Sequence, residues 1–418
     1  MLIGVCASRG RWRTWLKSIG QTLTTSRRRW SFVIEGRPEM TTDEQRLACA
    51  YLLKVAEPPT CALRRFVAEH GLVAAAAAVR AGNVPDQVSL ETSARRHIDT
   101  AAEDLAAGEH AGARLVTPED EDWPAWPLLP LTNAAARGLK WASAPLGLWI
   151  RGTAPIEESF QRAVSVVGAR AATSYGEHVA TEMGYGLASR GMTVVSGAAY
   201  GIDGAAHKGA LNANGCTVAV LACGIDRAYP SGHTLLIDRI AAQGLVITEY
   251  PPGTPPGRHR FLVRNRIIAA LGTGTVVVEA GQRSGARNTA ASAAALGRVL
   301  MVVPGPVTSA MSMGCHDLLR NGLATSVSSV AEVIESVGLF GDDLAAKPDS
   351  TPRPTDGLDP ESLRVHEALE LRSPVSAERI AEVSGVPLPR VRAVLPALEL
   401  TGLADRCESG WRRANAEV

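Results

Sequence analysis

The sequence predicts an α/β protein: a Rossmann-like domain with a parallel sheet, flanked by a small helical N-terminal module and a C-terminal winged helix. Three observations carry this. From Ala163 onward the short apolar runs AVSVVG, TVVSG, TVAVLACG, LVITEY, TVVVEA and VLMVVPG alternate with helical stretches. Strands that are apolar throughout, rather than alternating, belong to a parallel sheet covered on both faces. Before them, residues 41–113 are Ala-rich with helical spacing, as in CALRRFVAEHGLVAAAAAVRAG and SARRHIDTAAEDLAAGEH. After them, two short helices around Gly385 precede a hairpin-like tail, the outline of a winged helix-turn-helix.

The order along the chain follows. Residues 1–40 are basic, with Trp12, Trp15, Trp30 and the run Arg27 to Arg29, and hold no apolar stretch fit for a secretory signal. They are expected to be disordered or to precede the true start at Met40, a basic nucleic-acid-binding arm being the functional alternative. The first helix should begin at TTDEQRLACAYLLKVA, capped by Thr42 or Asp43. A Pro- and Trp-rich connector follows, in which Trp123, Trp126 and Trp149 are read as core or staple residues rather than base-stacking platforms. The Rossmann-like domain takes 114–340. Residues 341–359, polar and rich in Pro and Asp, read as a linker, and 360–418 as the winged helix. In that module Arg390 and Arg392 stand where a recognition helix would present them, though a protein-contact or merely solvated face fits equally well. Pro396 should kink or shorten the third helix.

Composition narrows the function. The 418 residues carry 43 Lys+Arg against 42 Asp+Glu, net +1, so nucleic-acid binding would need a local patch rather than a global field. The seven cysteines are scattered without a C-x-x-C pair, which argues against a disulfide framework or zinc site and for a reducing cytoplasm. No apolar run approaches the roughly 18 residues of a membrane span.

The chemistry should lie in the loops after the strands, where ligands collect in doubly wound sheets. GARAATSYG sets Gly168 and Arg170 before a helix, a phosphate cradle with a bidentate cation. SGAAYGIDGAAH sets Ser196, Gly197 and Gly201 in a turn, then Asp203 and His207 four apart on a helix; a dipole-stabilising or capping role suits Asp203 better than catalysis. EYPPGTPPGRHRF delivers Arg258, Arg260 and Phe261 on a Pro/Gly-stiffened arm, followed by Arg264 and Arg266. Cations for phosphates beside an aromatic face for bases are what a groove for single-stranded nucleic acid requires. Arg264 and Arg266 have a rival role in buried pairs with Glu279 or Asp203. Neither a Walker motif nor a proper G-x-G-x-x-G is present, so no cofactor or metal is expected.

These segments, with RNRIIAAL, VVPGPV and GCHDLLRNG in the same order, resemble the DNA-processing protein A family (DprA, or Smf) over about residues 115–325. The resemblance implies a non-enzymatic protein that binds single-stranded DNA without sequence preference and loads the RecA recombinase onto it in natural transformation. It implies DNA contacts at Arg170, Arg258 and Phe261, and a homodimer through the helix bearing Leu318 and Leu319, whose burial in the monomer core is the competing reading. Two departures stand out: Tyr200 where the family usually has a cation, and Leu262 where it usually has proline. The rival is a phosphoribohydrolase of related fold acting on nucleotides, but EAGQRSGARNTA puts Asn288 and Thr289 where such an enzyme needs an acid.

Overall fold

A computed structural model describes residues 41–338, 343 and 354–414; the expectations for residues 1–40, and most of the linker 341–359, lie outside the described residues. The chain divides into two compact units, Met1–Ala345 and Ala346–Val418.

In the first unit, helix α1 (Asp43–Val55) starts at a reciprocal cap. The Gln45 N–H donates to Thr42 Oγ1 at 3.2 Å, and the Thr42 N–H donates to Gln45 Oε1 at 2.8 Å, satisfying two donors that a helix start leaves open. Helices α2 (Cys61–His70), α3 (Leu72–Ala81), α4 (Asp86–Thr92) and α5 (Ala101–His110) follow. These helices pack onto the sheet. Tyr51, Leu52, Leu63 and Val79 share one buried cluster with Leu115, Trp149, Ala219 and Val246 from the sheet.

The rest of the unit runs β1 (Ala113–Val116), α6 (Ala125–Ala136), β2 (Leu148–Gly152), α7 (Ile156–Gln161), β3 (Ala163–Val167) and α8 (Ser174–Ala188). It continues through β4 (Thr193–Ser196), α9 (Ile202–Asn212), β5 (Thr217–Val220), α10 (Thr234–Gln243), β6 (Leu245–Thr248) and α11 (Arg258–Leu271). The last elements are β7 (Gly274–Val277), α12 (Gly285–Ala295), β8 (Val299–Val302), α13 (Met313–Arg320), β9 (Thr325–Ser326) and α14 (Val330–Val337). Among the described residues the strands form one sheet in the order β1-β2-β6-β5-β4-β3-β7-β8-β9. The pairs β1–β2 and β2–β6 are antiparallel and the others parallel. Strands β3 to β7 are buried along their whole length, as unbroken apolar runs require. The chain winds outward from β3 through β4 and β5 to β6, then returns to lay β7 on the other side of β3. The order therefore reverses between β3 and β7, and a crevice opens beyond their carboxyl ends.

Two sequence expectations fail. Trp149 is fully buried and Trp123 packs against the core, but Trp126 is 80% exposed. The helix carrying it, α6, turns its inner face through Leu128, Leu131 and Ala134 instead. In the second unit, α15 (Pro360–Glu367), α16 (Ala377–Ser384) and α17 (Leu388–Leu400) precede the hairpin β10 (Ala404–Cys407) and β11 (Gly410–Arg413). The αL glycine Gly385, φ 66°, ends α16 as the turn demands. Pro396 neither ends nor shortens α17, which runs four residues past it to Leu400; burial of Val391, Val394, Leu395 and Leu398 on one face offsets the missing N–H.

Candidate nucleic-acid interface

The crevice at the β3/β7 reversal has a volume of about 860 Å³ and takes most of its lining from three segments, with Ala199, Asp203, Tyr229 and Met311 completing it. The β3 loop contributes Val167 to Ala171, the arm and first turns of α11 contribute Arg258, His259, Phe261 and Leu262, and the β7 loop contributes Gly281, Arg283, Ser284 and Gly285.

The β3 loop is fixed from beneath. Its Ala169 N–H donates to the Glu279 carbonyl at 2.8 Å. Thr173 anchors its far end, donating its Oγ1–H and N–H to the Glu279 carboxylate at 2.6 and 2.9 Å while capping α8 through Gly176. Arg170, exposed between these anchors, lays its guanidinium over the Phe261 ring, with Cζ 4.7 Å from the centroid. Tyr229, from the loop after β5, leans on the same ring at 5.4 Å. Arg258 begins α11 in solvent, and among the described residues its side chain makes no hydrogen bond or ion pair. Arg170, Arg258 and Phe261 thus line one crevice, with two uncommitted cations around a ring.

Other expected site residues are committed within the fold. Arg260 is drawn away from the crevice rim: Nε and Nη2 clamp Glu57 at 2.7 and 2.9 Å, and a third nitrogen donates to the Pro255 carbonyl. Arg264 is only 4% exposed, and its Nη1 donates to the carbonyls of Gly197 and Val220. Burial pulls its pKa down to about 10 despite the nearby Asp203 carboxylate, which still leaves it charged at neutral pH. It forms part of the crevice floor, with Nη1 committed to those carbonyls and Nε buried without a partner among the described residues. Ser196 and Gly197 are equally internal. Ser196 Oγ donates to the Val166 carbonyl at 2.6 Å, and the Gly197 N–H donates to Asp203 Oδ2 at 3.2 Å. Gly168 lines the crevice, but its missing Cβ makes room for Ile202, whose Cγ1 would lie 2.4 Å from it. Arg266 grips Glu249, with Nη1 and Nη2 at 2.6 and 2.7 Å from its oxygens, rather than Glu279 or Asp203.

Asp203 and His207 do not act on one another. Asp203 faces the turn, where burial raises its pKa while Arg264 and the N–H groups of Ala199, Gly197 and Gly168 hold it down. His207 Nδ1 lies 2.7 Å from Thr217 Oγ1. That hydroxyl gives its own proton to the Val194 carbonyl, so Nδ1–H is the donor and Nε2 is left buried without a partner among the described residues.

Leu318 is also core. It is 6% exposed and packs in the cluster with Cys315, Val302 and Ala290, and Leu319 is half-buried against that cluster. Leu318 is therefore removed from the expected dimer surface. In the second unit the expected recognition arginines are paired with acids of their own fold, Arg390 with Glu361 at 2.8 Å and Arg392 with Glu378 at 2.7 Å.

The sequence reading gave no role to Tyr229, Arg283 or Glu57. The first two stand in loops after strands, where ligands were expected to collect, which was the available signal; Glu57, distant in sequence from His259 and Arg260, offered none. A second hollow of about 550 Å³ adjoins the crevice across Arg170 and is lined by Tyr200, Lys208 and His233. Tyr200 lies half exposed there, edge-on to His233 with centroids 4.7 Å apart.

Comparisons with known proteins agree with this fold and place the chain. The family described as DNA recombination-mediator protein A matches residues 114–338, and the DprA winged helix domain matches residues 349–410. The DNA processing protein DprA of Mycobacterium tuberculosis is 50% identical over 368 residues, covering 87% of this chain and 93% of that protein. Protein Smf of Escherichia coli K12 is 37% identical over 276 residues, 64% of this chain and 72% of its own length. The X-ray structure of DprA from Streptococcus pneumoniae superposes with a TM-score of 0.59 at 27% identity, over 72% of this chain and all of that one. The chain belongs to the DNA processing protein A family.

Proposed function

We propose that the β3/β7 crevice binds single-stranded DNA without sequence preference, and that the protein acts as a binding protein in DNA recombination rather than as an enzyme. The observation that carries this is the Phe261 ring under the Arg170 guanidinium at 4.7 Å, beside Arg258 at the mouth of an 860 Å³ crevice. A flexible strand presents phosphates at regular intervals and a π-face on every base, so cations flanking an aromatic ring suit any sequence. Duplex DNA hides its base faces and gains less.

The family resemblance adds delivery of the strand to a RecA recombinase and action as a homodimer, which we adopt as part of this reading. With Leu318 in the core, a two-fold contact on this face would draw on Leu319, Met313 and Leu323, the last two 42% and 54% exposed. A hydrolase reading gains no support from Glu279, the acid at the end of β7, because Thr173 takes up both of its carboxylate oxygens.

The test is competition between unlabelled single strand and duplex for a labelled oligothymidine at two salt concentrations. Single strand should compete at least tenfold better, whatever its sequence, with both affinities falling as salt rises. Equal competition by duplex, or a preference for one sequence, would refute the proposal.

A further inference from the structure

We infer that Glu57, on the segment after α1, is a positioning residue for the single-strand site: it holds the arm that presents Arg258 and Phe261. The inference rests on the reading proposed above and assigns the N-terminal helices a part in binding.

Two arginines and a histidine converge on this one carboxylate. Arg260 grips both oxygens, Arg95 Nη2 reaches Oε2 at 2.9 Å, and His259 Nε2 lies 3.1 Å from Oε1. Arg95 belongs to the helical segment, whereas His259 and Arg260 sit between the two residues that would meet DNA. Glu57 therefore ties the first turn of α11 to the segment after α1, where the neighbouring Ala56 is buried in the shared core. Arg260 is held further by its donation to Pro255 and by the Tyr250 ring, 5.2 Å from its Cζ. Burial alone would raise the Glu57 pKa, but bonding to Arg260, His259 and Arg95 lowers it to about 2, so the clamp stays charged throughout the neutral range. Without it, the arm is a segment rich in Pro and Gly, 251–257, leading into an unclamped helix start. Arg258 and Phe261 would then have to be ordered by the strand itself, and ordering costs affinity.

Electrostatics and positioning make opposite predictions. Glu57 is an acid beside a site for a polyanion, so removing it should strengthen binding if charge alone matters. If it positions the arm, removing it weakens binding. The experiment measures anisotropy of a 20-nucleotide oligothymidine with the full chain and with Glu57→Ala, Glu57→Gln, Arg260→Ala and the Glu57→Ala/Arg260→Ala double variant. Asp99→Asn, which removes an acid bonded to Arg80 and the Ala101 N–H, controls for charge. Glu57→Ala should bind at least about fivefold more weakly, the lower end of one lost base stack. Its salt slope should fall by up to about 0.7 as the Arg258 contact is lost. Glu57→Gln should shift in the same direction, Arg260→Ala should match Glu57→Ala, and the double variant should be no worse than either single.

Binding by Glu57→Ala and Glu57→Gln as tight as or tighter than wild type would overturn the inference. So would a double variant markedly weaker than both singles, since Arg260 would then contact DNA itself. If Glu57→Ala melts early, Glu57→Gln and Arg260→Ala decide the matter on the same criteria. Arg170→Ala and Phe261→Ala, run in parallel, separate the two levels: if neither weakens binding, the site itself is misplaced, whereas if both do and the Glu57 variants do not, only the positioning role falls.

Discussion

Truncating Arg170 should have two opposed effects, because its guanidinium lies on the face of Phe261 in the free protein. A base that stacks on that face must first displace the cation, giving up a contact of about 0.5–1 kcal/mol at an exposed site. Base stacking returns about 1–3 kcal/mol, so Phe261→Ala should cost a net ~0–2.5 kcal/mol in the wild-type background. Arg170→Ala loses one phosphate contact and lowers the salt slope by about 0.7, but it uncovers the ring. Between about 50 and about 200 mM salt a slope difference of that size changes the ratio of affinities by about 2.6-fold. The Arg170→Ala deficit should therefore be about 2.6 times larger at the lower salt. In that background Phe261→Ala should cost about 0.5–1 kcal/mol more than in wild type, because no cation has to leave. Anisotropy titrations of labelled oligothymidine and of a mixed-sequence strand, at both salts and for all four proteins, read these terms directly. An unchanged salt slope for Arg170→Ala would show that it meets no phosphate. Strictly additive losses would show that the base does not use the face Arg170 covers. A fall in melting temperature for Phe261→Ala with affinity intact would make the ring a core residue.

Other consequences concern the scaffold. Glu249→Ala should destabilise the first unit by about 3–5 kcal/mol, since it leaves Arg266, 3% exposed, as an unpaired buried charge; a loss below about 1 kcal/mol in denaturant melts would mean that water reaches the pair. Leu318→Ala should cost about 2–5 kcal/mol by opening a cavity while leaving the mass measured by light scattering as it is; a change in mass at full stability would return Leu318 to a contact surface. Burial, with help from the charges of His233 and Arg264, depresses the His207 pKa from 6.5 to about 3. Between those values the unfolded chain binds a proton that the folded one refuses, so stability is full above about pH 6.5 and falls on acidification by about 1.4 kcal/mol per pH unit. At pH 5 the deficit is about 2 kcal/mol, and His207→Gln should remove it; identical pH profiles for the two proteins would refute the assignment.

The strands, their parallel pairing and the strand-end loops could be read from the sequence because unbroken apolar runs such as AVSVVG and TVVVEA allow few other fates. The cap at Thr42 was legible for a similarly local reason. Depth was not. Ser196 and Gly197 sit in a Gly-rich turn that suits an anion, yet β4 carries that turn into the interior, where its polar atoms serve Val166, Asp203 and Arg264. Leu318 lies on a helix amphipathic enough for either a surface contact or a core, and only packing against Cys315 and Val302 decides between them. How the N-terminal helices join the sheet was not legible either, because Ala-rich helices bury little of their own and complete their core on Leu115, Trp149 and Val246.

The four arginines of GRHRFLVRNR show why residue type alone could not assign the site. They lie on one helix that begins in solvent and runs into the molecule, so each meets less water than the one before: Arg258 is exposed, the Arg260 side chain is 12% exposed, Arg264 4% and the Arg266 side chain 3%. A guanidinium that leaves water must replace its hydration with protein acceptors. Arg260 takes a half-buried carboxylate and a carbonyl, Arg264 two carbonyls on the crevice floor, and Arg266 a fully buried carboxylate in bidentate geometry. Donors committed in this way are not free for a phosphate. Only Arg258 reaches the rim with its fork uncommitted, and Arg170 meets it there from another loop with nothing but a ring beneath it. Burial thus turns a uniform cationic run into one solvent-facing cation, one clamp, one floor and one core pair, and the surface proposed to meet DNA consists of the cations that the fold leaves unpaired.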